Sequence, residues 1–146
     1  MKNISIIKFT SQPIWLTTGN LLLAVSQAAK KTEFATIDPL CVEDECQQTT
    51  SLGIVPYEVT SISFLPDGSA IAFSEKGGNI YLFSISNGNV SPLIVDKTHK
   101  SHIAVSGDGS RIAYLDDFHQ LYIVNLKDKS VQSYSGLKVQ NVNWLR

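Results

Sequence analysis

Apolar and polar residues alternate with a period of two through most of this chain, in short runs broken by clusters of Gly, Pro, Asn, Asp and Ser. Around Val59–Leu65 the alternation puts Val59, Ser61 and Ser63 on one face and Thr60, Ile62 and Phe64 on the other, which predicts a strand. Pro66-Asp67-Gly68 then predicts a turn: proline presets φ, the aspartate bonds its own backbone, and glycine accepts positive φ. A second strand is expected over Ala70–Ser74 and a tight turn at Lys76-Gly77-Gly78-Asn79. A third strand, Ile80–Ile85, is apolar on both faces, as a strand covered on both sides should be. Asn87-Gly88 carries the signal of a two-residue hairpin, leading into a fourth strand over Val90–Val95. Turn signals at this density, with no helical period, predict an all-β chain.

The pattern repeats. Ile62–Phe73 matches Ile103–Tyr114, with Asp67 opposite Asp108 and Gly68 opposite Gly109, at an offset of 41 residues. Ile80–Ile85 matches Leu121–Leu126, and Val90 matches Val131, at the same offset. Upstream, Trp15–Ala24 matches Phe64–Phe73 at an offset of 49, the eight extra residues being assigned to the Cys41–Cys46 region. Downstream, Val142–Leu145 resembles Ile62–Leu65 and is expected to be the first strand of a further unit. A period near forty built from four short strands is the signature of a β-propeller blade, whereas a sandwich requires no such period. The expected fold is therefore all-β, a partial β-propeller of about three four-stranded antiparallel blades. Residues 13–57, 58–98 and 99–138 are the blades, 139–146 the first strand of another, and 1–12 an outer strand for the closing blade, formed by Ile4–Phe9.

At these residues the chain resembles the WD40-like repeat family, of the TolB type. Phe64–Phe73 is similar to that family's Phe-Ser-Pro-Asp-Gly core, and Ser106–Tyr114 is a second copy. The Trp-Asp pair that names the WD40 repeat is replaced by Phe83-Ser84 and Val124-Asn125, and in the first unit by Ala35-Thr36. The Gly-His dipeptide before the first strand is missing from every copy, so the resemblance implies no His–Asp–Ser–Trp network. It implies the fold and leaves function open, because propellers serve as scaffolds, enzyme domains and transport components.

Charge narrows the function classes. The 146 residues carry 12 basic and 13 acidic side chains, a formal net charge of −1, without the basic excess a nucleic-acid surface requires. Leu21–Val25, the longest nearly apolar stretch, is far too short to cross a bilayer, so no membrane association is expected. The N-terminus has an early lysine, but Lys8 interrupts its apolar run, and it reads as a strand rather than a signal peptide. Cys41 and Cys46 lack the second pair and nearby histidine of a zinc site. They read as two free thiols of a reducing compartment, hence a cytoplasmic location; a disulfide across a four-residue loop is the alternative.

Candidate chemistry is sparse. His99 and His102 are spaced to point to opposite faces of a strand, and Asp116-Asp117 with His119 reads as a turn rather than a calcium loop. Ser106-Gly107-Asp108-Gly109 is glycine-rich but belongs to a turn, with no helix following to present its N-terminus to a phosphate. No nucleophile elbow is present. Trp15 and Trp144 occupy equivalent first-strand positions and are expected between blades. Glu43, Asp44 and Glu45 form an acidic protrusion, the first surface to consider as a partner contact. Asp67, Gly68, Asp108, Gly109, Asn87 and Gly88 are assigned to structural turns. The sequence thus points to a module with no catalytic residues, cofactor or metal that binds another protein and forms the N-terminal part of a larger propeller. The alternatives are an accessory propeller of a multidomain enzyme, such as a serine peptidase, or a short propeller that closes by self-association through its open edges.

Overall fold

The computed structural model describes residues 10–40, 49–96 and 98–144. The Ile4–Phe9 strand, the Cys41–Cys46 pairing and the Glu43, Asp44 and Glu45 protrusion lie outside the described residues. The described residues form twelve strands in three antiparallel four-stranded sheets, each in simple sequential order. The first blade comprises β1 (Ile14–Trp15), β2 (Leu21–Gln27), β3 (Lys31–Ile37) and β4 (Thr50–Val55). The second comprises β5 (Val59–Phe64), β6 (Ala70–Glu75), β7 (Ile80–Ser84) and β8 (Val90–Ile94). The third comprises β9 (Lys100–Val105), β10 (Arg111–Asp116), β11 (Leu121–Asn125) and β12 (Val131–Tyr134). The chain is a partial β-propeller.

Strand β7 shows why the blades must stack. Phe83 and Tyr81 face the first blade, where Phe83 packs at 5.2 Å from Phe34 and Tyr81 at 4.6 Å from Tyr57, while Phe73 lies 5.4 Å from Phe34. Ile80 and Leu82, on the opposite face, pack with Ile103, Ile112, Tyr114 and Val124 of the third blade. Neither core closes within a single sheet; each is apolar area removed from water only by the neighbouring blade. Phe83 comes so close to β4 that a Cβ built on Gly53 would sit 2.6 Å from its Cζ.

Four sequence expectations change in the structure. Simple alternation puts Val59 opposite Ile62, yet both lie in one core, because a bulge between Val59 and Ser61 inserts Thr60 and flips the register. The first blade's opening turn is one residue shorter than the 49-residue offset implies: Trp15 pairs with Leu21, whereas Phe64 pairs with Ile71. Leu22 and Ala24 consequently correspond to Ala72 and Ser74. The β2–β3 hairpin is in turn four residues longer than β6–β7, since Leu21 pairs with Ile37 but Ile71 with Phe83, so the extra length is not confined to the Cys41–Cys46 region, and the counterpart of Phe83-Ser84 is Ile37-Asp38, not Ala35-Thr36. Asn87-Gly88 is not a two-residue hairpin, since Ser84 N–H donates to the Asn89 carbonyl at 2.8 Å and encloses a four-residue loop. Trp15 is 61% exposed rather than buried between blades. Its partner Leu21 shows that it belongs to the first blade's leading face, which no described blade covers.

Candidate functional site

The innermost strands converge on one concave wall. Residues 11–15, 60–63, 101–104 and 141–143 line a cleft of about 680 Å³, and a neighbouring cleft of about 590 Å³ continues it past Phe64, Val105 and Trp144. Two serines bind this wall together. Ile103 N–H donates to Ser61 Oγ at 3.2 Å and Val105 N–H to Ser63 Oγ at 3.0 Å. An innermost strand has no neighbour on its open edge, so these N–H groups would otherwise require water. Each hydroxyl that accepts such a bond keeps its own proton to donate. Trp144 closes the far end: its Nε1 donates to the Ala104 carbonyl at 2.9 Å, and Arg111 lies over its ring at 5.3 Å. Trp15 lines both clefts with most of its surface open to solvent.

The sequence-predicted residues fall at the turns. Asp67 Oδ1 accepts both Ser69 N–H at 2.9 Å and Ser69 Oγ at 2.7 Å, and Gly68 follows with φ 77°. Asp108 does the same with Ser110 and also accepts Ser106 Oγ at 2.6 Å; Gly109 has φ 71°. The hydrogen bonds from Ser106 and Ser110 hold the Asp108 carboxyl far below the usual carboxylate range, and those from Ser69 lower Asp67 less. Asn87 Oδ1 accepts Asn89 N–H at 2.9 Å, beside Gly88 at φ 70°. Asp116 Oδ1 accepts the N–H groups of Phe118 and Gln120, while Asp117 lies 3.0 Å from His99 Nδ1. His102 is exposed in the large cleft with φ 52°, and His119 sits in a turn with φ 59°. Among the described residues, no group of three or more His, Cys, Asp or Glu is placed to hold a metal. No helix among them is long and apolar enough to cross a membrane.

Sequence reasoning missed the blade junctions. Thr32 is fully buried; its hydroxyl donates to the Tyr57 carbonyl at 2.8 Å and accepts Val59 N–H at 3.1 Å. At the next junction the equivalent position is Gly78, and Lys100, 1% exposed, supplies the polar group instead. The three N–H groups of its Nζ are shared among four acceptors within reach, Gly78 O at 2.9 Å, Thr98 O at 2.7 Å, Thr98 Oγ1 at 3.0 Å and the Asp96 carboxylate. Burial pushes the Asp96 carboxyl up, but the bonds from Lys100 and Thr98 outweigh it and hold the group below its ordinary range. The spacing Asp-x-Ser/Thr, at 67, 96, 108 and 128, was the readable signal for these turns. Nothing local marked Lys100 as buried.

Solved structures similar to this chain are propellers. It resembles the β-propeller domain of Cps50 (Swd1) from Myceliophteria thermophila, with a TM-score of 0.65 and 17% identity, over 94% of this chain and 45% of that one. It resembles TolB from Acinetobacter baumannii at TM-score 0.62 and 22% identity, covering 87% of this chain and 32% of TolB. An oligogalacturonate lyase in complex with manganese matches at TM-score 0.59 and 12% identity, over 86% and 39% of the two chains. The chain spans less than half the length of each of these. No family model matches it, and no curated protein matches it in sequence.

Proposed function

We propose that this chain is a non-catalytic protein–protein interaction module, a propeller scaffold that receives a segment of another protein in the cleft between its innermost strands, in the cytoplasm. The observation that carries this reading is Trp15. It is a large aromatic side chain, 61% exposed, on the wall of a concave site whose remaining surface offers hydroxyl, amide and imidazole groups from Ser61, Ser63, Asn143 and His102. Aromatic anchors on concave, partly polar surfaces are what recognition sites use. Asp67 and Asp108, in the turns that follow the inner strands of the second and third blades, are engaged by those turns, which favours a structural role over acid–base work.

A photoreactive amino acid placed at His102 tests this. The reading predicts a discrete cross-linked protein from the source cell, lost when Trp15→Ala is introduced and retained when Val95→Ala, on the outer rim, is made. Equal capture by all three chains, or turnover of a small substrate that depends on cleft residues, would contradict it.

A further inference from the structure

The outer strand of a blade leaves one row of backbone N–H and C=O groups unpaired, and the three blades treat that edge differently. In the first blade, β4 is bulged: Ala35 pairs with Ser51 but Phe34 with Gly53, so Leu52 is extra and the edge is kinked. In the second, Ser84 N–H donates to Asn89 O, and the ladder alternates from there, so Val90 and Pro92 turn their backbones outward. Proline has no N–H to offer, so this edge lacks a donor midway. In the third, Asn125 N–H donates to Ser130 O at 2.9 Å, and the pairs Val124–Val131, Tyr122–Ser133 and Leu121–Tyr134 follow without a shift. Val131 and Ser133 therefore turn their backbones outward, and Ser133 stands where the second blade has Pro92.

Strand β12 is thus straight, complete in donors and acceptors, and unpaired on its outer side among the described residues. It is also greasy for an exposed strand: Val131 is 50% and Tyr134 41% exposed, on opposite faces of the sheet. A fifth strand would cover both. Lys127, Lys129 and Lys138 flank it, against Asp128, whose carboxylate is engaged by Ser130 N–H at 2.9 Å and Oγ at 2.6 Å.

We propose that β12 is a strand-addition site, which takes an extended segment of another protein with alternating β-branched residues and acidic flanks as the fifth strand of the third blade. Main-chain hydrogen bonds to Val131 and Ser133 supply the pairing, and the lysines select carboxylates at the segment's ends. A second copy of this chain is the poorer occupant, because two lysine-flanked edges repel.

The probe is a capped peptide, acetyl-EEVTVTVEE-amide, added to the full chain and followed by amide hydrogen exchange. The expected result is exchange slowed at least about tenfold at Val131 and Ser133, with no change at Val90. Ser133→Pro, which copies the tolerated Pro92 and breaks no bond to β11, should leave the melting temperature nearly unchanged and weaken peptide binding at least about tenfold. Pro92→Ser should create a second, weaker site. A lysine-flanked peptide should bind less well than the acidic one. The proposal is overturned if Ser133→Pro binds as the parent does, if Val131 and Ser133 are already protected in the free chain, or if both peptides fail at millimolar concentration. It is equally overturned if the free chain forms a dimer that Ser133→Pro abolishes, because the occupant is then a second copy.

Discussion

Lys129 occupies the turn position that Gly88 holds in the second blade. Both close a four-residue loop with positive φ, 61° and 70°, and both N–H groups donate four residues back at 2.9 Å. A side chain in that region costs about 1 kcal/mol. Lys129→Gly is therefore expected to stabilise the chain by up to about 1 kcal/mol, and Gly88→Ala to destabilise it by a similar amount, both read from urea midpoints. Asp108 gives a pH test at the same scale. Its folded pKa is depressed by Ser106 and Ser110, so its contribution is full above the unfolded carboxylate's pKa, near about 4, and is lost as pH falls through the lower folded value. The stability advantage of the parent over Asp108→Asn should hold from pH 7 to 5 and shrink steadily as melts are repeated toward pH 2. An advantage that stays constant with pH would show that the carboxylate's charge is not what the turn uses.

At the scale of the elements, strands were legible because alternation and turn residues report on local backbone geometry. Ile80–Ser84 and Ala70–Glu75 fall where period and flanking glycines put them. Bulges were not legible. Thr60 looks like any alternating position, and only the need to bring Val59 and Ile62 into one core selects it as the extra residue. The one-residue turn deletion before Leu21 was hidden for the same reason, since Leu22-Leu23-Ala24 is apolar whichever way it faces. The junctions depend on contacts between units distant in sequence. Lys100→Met, which leaves the Gly78 and Thr98 carbonyls without their donor, is expected to cost about 3 kcal/mol in chemical denaturation. Thr32→Val, which strands Tyr57 O and Val59 N–H, should cost about 2 kcal/mol. Gly78→Ala should be at least as damaging, since its Cβ would lie 2.3 Å from Thr98 O. Losses within a few tenths of a kcal/mol would mean that the junctions are held by apolar packing alone.

For the whole molecule, the repeat predicts an arrangement that no single unit displays: one strand whose two faces belong to two different cores. The cleft between the innermost strands was not legible, because it assembles from four segments spread between Ser11 and Asn143. Trp15 carried the strongest hint, yet its pairing with a core-like pattern argued for burial. Stacking of complementary faces is what lets units of this size fold, and it puts Phe83 and Ile80, three residues apart on β7, in contact with different neighbours. An aromatic- and methyl-resolved NOESY spectrum of the full chain measures this directly. The expected result is cross-peaks from the Phe83 ring to Gly53 Hα and to the Phe34 ring, together with cross-peaks from the Ile80 methyls to residues of the third blade. Cross-peaks from Phe83 and Ile80 to one common set of neighbours, or to none beyond their own sheet, would contradict the stacked-blade structure.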